Sequence, residues 1–365
     1  MAKIIISGGG TGGHVFPAIA IADAIKKIRP DAEILFVGAQ GKIEMEKVPK
    51  AGYPIEGLWI SGFHRKLTLR NLLFPLKLAA SLWKARSIVA RFKPDAAVGV
   101  GGYASGPLLK AATSKGVPAL LQEQNSFAGV TNRLLAAKAK KICVAYDKME
   151  RYFPAEKIVL TGNPVRRDLA NLQVTAAEGL KYFDLEAGKK TIFVFGGSLG
   201  ARSINEAMAA NAELLSRQSD IQVLWQVGSL YYETYKDCAT ARLPNVRLRP
   251  FIDRMDMAYA LADLVICRAG ALTISELCLV GKAALLIPSP NVAEDHQTKN
   301  AKALVEKEAA LLLPDQDAKE LIVAQAIQLL INEPQLEKLR QNIRRLARPD
   351  AADRIAEEVL KLIKI

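Results

Sequence analysis

The chain has 365 residues, half of them hydrophobic and about a quarter charged, which is the composition of a globular protein with room for about two domains. A formal net charge of +13 indicates an anionic partner, such as nucleic acid, an anionic membrane surface or a phosphorylated substrate. Four cysteines without a CxxC pair give no sign of a disulfide framework or a zinc cluster, and no apolar run reaches the ~18 residues of a membrane span. Because a strand is predicted at the first residues, we expect no signal peptide.

The first predicted element is a β-branched strand at Lys3–Ser7, which leads into the glycine-rich turn Gly8–Gly13 and an apolar helix pattern. Glycines let main-chain N–H groups approach an oxyanion, and the helix start adds a partial positive charge. The turn therefore predicts either a phosphate-binding loop or a plain strand-to-helix connection. A dinucleotide site is disfavoured, because no acidic residue follows the second predicted strand, Glu33–Val37, to bind a ribose.

His14 directly follows the glycine turn. A neutral imidazole at this position can accept a proton from a substrate hydroxyl. A histidine at a helix start can equally cap the helix or belong to the core, so both interpretations stay open. If the site is catalytic, His14 is the candidate base.

The stretch between Glu56 and Asp95 contains no acidic residue but many basic and large apolar ones. Segments of this composition insert Leu, Phe and Trp into a bilayer and place Lys and Arg on anionic headgroups. The alternative is an ordinary helix with one buried stripe and a solvated basic face, but the apolar residues are too many for one stripe. The predicted membrane contacts are Leu72, Leu73, Phe74, Lys77, Trp83 and Lys84.

Short apolar runs alternate with helical patterns along the whole chain, which is typical of parallel α/β sheets. The two halves repeat the order Asp, strand, glycine turn, helix, Gly and strand, once from Asp95 and again from Asp263. We predict an α/β fold of two doubly wound, Rossmann-like domains over residues 1–163 and 164–345, with a helix in 346–365 that can pack back on the first domain. The predicted strands are Lys3–Ser7, Glu33–Val37, Ala96–Val100, Ala119–Gln122, Ile142–Ala145, Ile158–Thr161, Thr191–Phe195, Val223–Val227, Val246–Arg249, Leu264–Cys267, Ala284–Ile287 and Ala310–Leu313.

The second half carries its own glycine turn at Gly196–Gly200, so two turns are available for one ligand if the domains face a cleft. Glu276 follows the strand Leu264–Cys267 by one to two helical turns, where its carboxylate can accept hydrogen bonds from a ribose diol. A solvated helix carboxylate is the alternative. The DxD letters of Asp315–Asp317 lie between a proline and a helix, which favours N-capping over metal binding. We predict no metal and no cofactor.

Eight short motifs follow one another along nearly the whole chain. They are Gly9–Pro17, Gly101–Pro107, Glu123–Asn125, Gly162–Arg166, Gly196–Ala201, Phe251–Asp253, Arg268–Glu276 and Gln297–Asn300. In this order they resemble the MurG family of bacterial N-acetylglucosaminyltransferases, which act in peptidoglycan synthesis. The resemblance implies the two-domain GT-B fold and a hexosyltransferase that moves N-acetylglucosamine from UDP-N-acetylglucosamine to the C4 hydroxyl of the muramoyl sugar of lipid I, giving lipid II with inversion.

The resemblance also implies which residues bind the substrates. On the donor side they are Thr11, Gly12, Gly13, Asn125, Arg166, Ser198, Ile252, Ala271, Leu272, Thr273, Ile274, Ser275, Glu276 and Gln297. On the acceptor side they are Gly102, Tyr103 and Ser105. Two departures from the family pattern are Gln122, where a histidine is common, and His296, which puts a sugar contact from that position in doubt.

The implied partners are UDP-N-acetylglucosamine, a lipid-linked muramoyl-pentapeptide and the anionic cytoplasmic face of the cell (inner) membrane, where the protein would bind peripherally and support cell wall biogenesis, cell shape and cell division. Another UDP-sugar transferase or a UDP-N-acetylglucosamine epimerase is the alternative within this fold. A basic nucleic-acid-binding protein is the alternative from another class. The sequence shows no recognition-helix or aromatic stacking pattern that would favour it.

Overall fold

A computed structural model of the chain describes residues 1–61, 73–165, 169 and 173–363. The described residues form two compact units. The first comprises Met1–Arg166 together with Arg348–Ile365, and the second comprises Arg167–Ala347. Each unit is a parallel β-sheet with helices on both faces, so the prediction of two parallel-sheet α/β domains is confirmed.

The first unit contains a seven-stranded parallel sheet with the strand order β3-β2-β1-β4-β5-β6-β7. The strands are β1 (Lys3–Gly8), β2 (Glu33–Ala39), β3 (Ile55–Leu58), β4 (Ala96–Gly101), β5 (Ala119–Glu123), β6 (Lys141–Val144) and β7 (Ile158–Leu160). Six of them match predicted strands. The edge strand β3 was missed, because four residues that include a glutamate and a glycine carry little β signal.

The helices described in the first unit are α1 (Gly12–Ile28), α2 (Glu44–Lys50), α3 (Phe74–Phe92), α4 (Ser105–Ser114) and α5 (Val130–Leu135). Helix α1 buries an apolar stripe that includes Val15, Ile21 and Ile25 against one face of the sheet. The opposite face packs against α3 and α4 through residues such as Ile88 and Leu108. With both faces covered, the strands are predominantly apolar, as is usual for parallel sheets.

The second unit contains a six-stranded parallel sheet with the order β10-β9-β8-β11-β12-β13. The strands are β8 (Lys190–Phe195), β9 (Ile221–Gln226), β10 (Val246–Arg249), β11 (Leu264–Cys267), β12 (Ala283–Leu286) and β13 (Leu311–Leu312). All six lie where the sequence predicts strands. Its helices are α6 (Ala176–Phe183), α7 (Arg202–Ala210), α8 (Ala212–Ser216), α9 (Tyr232–Tyr235), α10 (Met255–Leu261), α11 (Ala271–Val280), α12 (His296–Val305), α13 (Ala318–Ile331) and α14 (Glu333–Arg345).

The last helix of the chain, α15 (Ala351–Lys361), returns to the first unit. Its buried side chains Ile355 and Val359 join the same apolar cluster as α1. An exposed ion pair of 3.2 Å between Lys27 and Asp353 lies beside this contact. The C-terminal segment is therefore part of the first unit's core, although it follows the second unit in sequence.

The strand order reverses direction between β1 and β4 in the first sheet and between β8 and β11 in the second. In open α/β sheets, ligands bind outside the carboxyl ends of the strands at such a switch point. The segments that leave the first switch point are Gly9–Thr11 and Gly102–Ala104, and those that leave the second are Gly196–Ala201 and Arg268–Gly270. Each unit thus presents two of the motifs at its own switch point.

Candidate functional site

The glycine turn after β1 is held against the turn after β4. The N–H of Gly9 donates to the carbonyl of Gly101 at 3.3 Å, and the N–H groups of His14 and Val15 donate to Thr11 at 3.1 and 3.2 Å. Thr11 occupies the N-cap position of α1 without a capping hydrogen bond from its own side chain. The turn therefore has a fixed shape, with Thr11 and Gly13 exposed at the carboxyl edge of the sheet.

The imidazole of His14 lies between the two turns. Its Nδ1 is 3.2 Å from the hydroxyl oxygen of Thr11. A Cβ atom added to Gly101 would come within 2.5 Å of Cδ2 and 2.8 Å of Nε2, so the ring packs edge-on against the Gly101 backbone. In the tautomer in which Nδ1 donates to Thr11, Nε2 carries the lone pair that a general base requires.

Glu44, the first residue of α2, is a buried carboxylate that sequence reasoning missed. Its two oxygens accept hydrogen bonds from the N–H groups of Gly10 at 2.8 Å and Ala39 at 2.9 Å. It lies so close to Gly9 that a Cβ atom there would meet its carboxylate at 2.2 Å. Two N–H groups of the glycine turn, those of Gly9 and Gly10, are thus engaged within the protein, and an oxyanion would have to bind the exposed part of the turn.

A second buried carboxylate, Glu123, shapes the loop after β5. It accepts hydrogen bonds from the N–H of Gly129 at 3.0 Å, the amide of Asn132 at 2.9 Å, and both the N–H and the side chain of Asn125 at 3.1 and 3.3 Å. Burial raises the pKa of Glu123, and these hydrogen bonds oppose the rise. Glu123 fixes the position of Asn125, one of the predicted donor-binding residues.

The three residues predicted for the acceptor side differ in accessibility. Gly102 packs on the carbonyl of Gly9, and Tyr103 is exposed beside Gly10. Ser105 is fully buried and donates to the carbonyl of Ser7 at 3.1 Å. Tyr103 is thus the member of this set whose side chain is open to a ligand, while Ser105 joins the turn to β1.

In the second unit, Gln226 at the end of β9 connects two predicted donor motifs. Its side chain is buried, donates to the carbonyl of Gly197 at 3.0 Å and accepts from the N–H of Ile252 at 2.8 Å. The side chain of Ile252 is buried, and Ser198 is exposed at the tip of the glycine turn. Gln226 therefore sets the spacing between the turn and the main chain of Ile252.

Helix α11 begins at the second switch point, directly after Gly270. Its first turn contains Ala271, Leu272 and Thr273, has no acidic residue and receives no capping hydrogen bond from the Gly270 position. One turn further along, Glu276 accepts a hydrogen bond of 3.0 Å from the hydroxyl of Tyr259. The helix start favours anions, and the half-buried carboxylate next to it can accept hydrogen bonds from hydroxyl groups.

A cavity of about 430 Å³ opens at this edge of the second sheet. It is lined by Gly196, Gly200, Arg268, Gln297 and Asp315, among others. Gln297 is oriented by the N–H of Ser289, which donates to its side-chain oxygen at 2.8 Å. The predicted residues Ser198 and Ala271–Glu276 leave the same switch point, since they follow β8 and β11.

Asp315 has a different role from the one predicted. Its carboxylate pairs with the guanidinium of Arg268 and accepts from the hydroxyl of Ser203 at 2.6 Å, while Arg268 also donates to Ser203 at 2.8 Å. Asp317 stands at the N-cap of α13 without a capping hydrogen bond from its side chain. The N-capping prediction is thus met in position by Asp317, whereas Asp315 serves instead as the counter-ion of an arginine at the cavity.

Helix α3 carries most of the predicted membrane contacts. Its buried side packs Ser81, Ala85 and Ile88 against the sheet. Leu73, Leu76 and Trp83 lie on an exposed stripe, with 61% of Leu76 and 75% of Trp83 accessible. The other predicted contacts are less available to a membrane. Phe74 is half-buried, Lys77 donates to the hydroxyl of Ser61 at 3.1 Å, and Lys84 donates to the carbonyl of Gly57 at 2.8 Å.

Two predicted residues, Arg166 and Leu72, lie outside the described residues. Across the described ranges, no helix is both long and apolar enough to cross a membrane. Most of the remaining predicted substrate residues lie in one group at each switch point: Thr11–His14, Gly102, Tyr103 and Ser105 in the first unit, and Ser198, Ala271–Glu276 and Gln297 in the second. Asn125 follows β5, which pairs with β4, and Ile252 follows β10, which is separated from β8 by β9.

Two family models match the chain, one for each unit. The glycosyltransferase family 28 N-terminal domain matches residues 4–144, and the glycosyltransferase family 28 C-terminal domain matches residues 191–355. The chain belongs to glycosyltransferase family 28. Together the two matches cover most of the sequence and both switch points.

Curated relatives in this family are similar over their whole length. A protein from Cytophaga hutchinsonii is 56% identical over 99% of the chain and 97% of its own length, and one from Bacteroides fragilis is 54% identical over 99% and 95%. Both are named UDP-N-acetylglucosamine–N-acetylmuramyl-(pentapeptide) pyrophosphoryl-undecaprenol N-acetylglucosamine transferase. The resemblance to the MurG family and the prediction of a hexosyltransferase are therefore confirmed.

Solved structures agree with this family. Acinetobacter baumannii MurG superposes with a TM-score of 0.79 at 30% identity and covers 99% of this chain and 100% of its own. A UDP-GlcNAc 2-epimerase from Neisseria meningitidis superposes with a TM-score of 0.67 but is only 16% identical. The second likeness shows the shared fold alone and carries no argument for epimerase activity.

Proposed function

We propose that this glycosyltransferase moves N-acetylglucosamine from UDP-N-acetylglucosamine to a lipid-linked N-acetylmuramyl-pentapeptide. The observation that carries the proposal is the second switch point. There the uncapped start of α11 and the carboxylate of Glu276 lie one helical turn apart. A nucleoside diphosphate presents the complementary pair of groups, namely a ribose diol and an adjoining diphosphate.

The donor contacts follow from the groups available in the second unit. Because the N–H of Ile252 donates to Gln226, its carbonyl is the main-chain group proposed to accept from the uracil N3–H. Glu276 is proposed to accept from the ribose hydroxyls. The N–H groups of Ala271, Leu272 and Thr273 would contact the diphosphate, with Ser198 from the glycine turn. The donor-side role of Thr11, Gly12 and Gly13 follows from the family resemblance alone.

The transfer step forms a bond between the C4 oxygen of the muramoyl sugar and the anomeric carbon, and breaks the bond between that carbon and the phosphate oxygen of UDP. Nε2 of His14 is proposed to take the hydroxyl proton. The charge that develops on the diphosphate would be stabilised by the N–H groups of the α11 start, which are fixed before the reaction begins. Attack opposite the leaving group inverts the anomeric configuration. The further donor-side role of Arg166 follows from the family resemblance alone.

A lipid-linked acceptor requires contact with the membrane that holds it. The exposed stripe of α3, formed by Leu73, Leu76 and Trp83, is proposed to insert at the surface of the cytoplasmic leaflet. A nearby exposed basic residue, Arg86, would face anionic headgroups, and this attraction weakens with salt. Because Lys77 and Lys84 already contact Ser61 and Gly57, their proposed role is to support the stripe.

Calorimetric titration with UDP tests the donor side of the proposal. We expect Glu276→Ala to weaken UDP binding about tenfold, because hydrogen bonds to a charged group contribute roughly 1.5–3 kcal/mol. Glu320→Ala removes an exposed carboxylate from α13 and is the matched control, with unchanged affinity. Equal UDP affinity in the wild type and Glu276→Ala would contradict the ribose assignment.

A further inference from the structure

A second cavity of about 430 Å³ lies at the opposite edge of the second sheet, where the strands begin. Its lining includes Thr191 near the start of β8, Asp263 just before β11 and Lys282 just before β12. The substrate motifs all belong to the carboxyl edge of this sheet. The cavity at the starting edge is therefore separate from the proposed donor site.

Charge distinguishes this cavity. Among the described residues that line it are four cationic side chains, those of Lys189, Lys282, Arg340 and Arg344, and a single carboxylate, that of Asp263. Asp263 is already shared, since it accepts from the N–H of Thr191 at 2.8 Å and lies 3.4 Å from Arg340.

Two of the other cations have carboxylate partners outside the lining. Lys189 pairs with Glu186 at 2.9 Å, and Arg340 pairs with Glu333 at 3.3 Å. These two cations are thus already matched by carboxylates. Lys282 and Arg344 have no such partner among the described residues, so they decide what the cavity can bind.

Lys282 is a half-buried ammonium group with main-chain partners. Its Nζ donates to the carbonyls of Ala260 at 3.0 Å and Ala262 at 2.8 Å. Within the described ranges, no carboxylate lies within 4 Å of it. The pKa of Lys282 is lowered to about 8, mainly by burial; Asp263 opposes this lowering, and the nearby charges of Arg340 and Arg344 add to it. An ammonium group has three donors, so a third hydrogen bond to a ligand remains possible.

Arg344 lies directly against the backbone of Gly281, the residue that ends α11. A Cβ atom at Gly281 would meet Nε of Arg344 at 2.6 Å and Nη2 at 3.0 Å, and the φ angle of +64° there also favours glycine. Among the described residues, Arg344 has no carboxylate within 4 Å. Its guanidinium is thus held at the cavity wall by a glycine that leaves room for it, with its donors unmatched by an acid.

We propose that this cavity binds a small multivalent oxyanion, of the phosphate or phosphate-ester class, between Lys282 and Arg344. A guanidinium binds two oxygens of such an anion in parallel, and an ammonium group adds a third charge-assisted hydrogen bond. The apolar wall formed by Leu180 and Val280 leaves room for a small organic group on the ester. The alternative is a purely structural role, in which both cations only stabilise the carboxyl end of α11 and the nearby carbonyls.

The test is a titration with sulfate, followed through the amide NMR signals of Gly281, Lys282 and Arg344, at matched ionic strength in chloride and with UDP saturating the donor site. We expect saturable shifts in the wild type. Arg344→Gln should weaken sulfate binding about tenfold or more. Arg345→Gln removes the neighbouring exposed charge on the same helix, which does not line the cavity, and should leave it unchanged. Non-saturable shifts, or equal affinity in both variants, would overturn the proposal.

The pH dependence provides a second readout that does not require a variant. Sulfate keeps its charge, whereas Lys282 loses its proton as the pH rises through about 8. The affinity for sulfate should therefore be high below that pH and fall above it. The other charged groups that face Lys282 are Asp263, Arg340, Arg344 and Lys189. Affinity that stays constant from pH 7 to pH 9 would exclude Lys282 as a ligand.

Binding to vesicles of phosphatidylglycerol shows whether the natural oxyanion is a lipid headgroup or a soluble phosphate ester. Weaker vesicle binding by Arg344→Gln than by Arg345→Gln indicates a lipid headgroup, and equal binding indicates a soluble phosphate ester.

Discussion

The N–H of Ile252 donates to the side-chain oxygen of Gln226 at 2.8 Å, and the amide nitrogen of the same glutamine donates to Gly197 at 3.0 Å. One buried side chain thus fixes a glycine turn and a main-chain segment that follow different strands of the second sheet. If Ile252 and the turn bind the two ends of a uridine diphosphate, Gln226 sets the distance between them without touching the ligand.

Gln226→Ala should raise the KM for the sugar nucleotide about tenfold with little change in kcat, because the N–H of Ile252 is left without its acceptor and the turn shifts. Gln222 is the matched control. It is a buried glutamine at the second position of the same strand, β9. Its side-chain amide donates to the carbonyl of Glu186 and to the hydroxyl of Thr191 at the other edge of the sheet. Gln222→Ala should lower stability and leave KM unchanged. A similar KM in both variants would refute the spacing role.

Gly101→Ala and His14→Ala should each lower kcat by roughly 10²-fold or more, because a general base raises the rate by at least this factor. The added methyl group would displace the imidazole, and φ of +103° adds backbone strain. Gly116→Ala is the control, since Gly116 also has a positive φ, +80°, but has nothing within 4 Å. If kcat with saturating donor stays near the wild-type value in His14→Ala, the base assignment is wrong.

Glu44→Ala should destabilise the first unit by about 2–5 kcal/mol, because it leaves the N–H groups of Gly10 and Ala39 without an acceptor inside the protein. Urea unfolding, followed separately for the two units, measures the change. Glu46→Ala removes an exposed carboxylate from the same helix and should leave the stability nearly unchanged. A loss in Glu44→Ala no larger than in Glu46→Ala would show that the glycine turn holds its shape unaided.

Changing Leu76 and Trp83 together to Ser should weaken binding to anionic vesicles severalfold while stability stays the same, because both side chains are exposed on α3. Ile331→Ser is the control, with 76% of that side chain exposed on the second unit. Cosedimentation at low and high salt measures both variants. Undiminished binding by the double variant would mean that the stripe is not the docking surface.

Of the thirteen strands in the described part of the chain, twelve could be predicted from the sequence, because strands covered on both faces are apolar runs that stand out between helices. The strand Ile55–Leu58 could not be predicted because a glutamate and a glycine among its four residues leave no apolar run. The glycine turns, His14 and Glu276 were recognisable from residue type and position. Glu44 and Gln226 were not, because a buried polar side chain looks like an exposed one until its long-range partners are known.

Asp315 also shows that a local sequence pattern does not reveal a side chain's long-range partner. Its local sequence indicated a helix cap, but a partner 47 positions away in sequence, Arg268, determines its role. Local patterns predict contacts within a turn or two of the chain. Ion pairs between elements depend on the order of strands in the sheet, which the sequence does not display.

The most direct test of the proposed activity is transfer of labelled N-acetylglucosamine from UDP to a short-chain lipid I analogue, with and without EDTA. We expect a product with a new β-1,4-linked sugar, formed at the same rate in the presence of the chelator and lost on removal of the acceptor's C4 hydroxyl. Failure to label the acceptor, while UDP-N-acetylglucosamine is bound or epimerised, would contradict it.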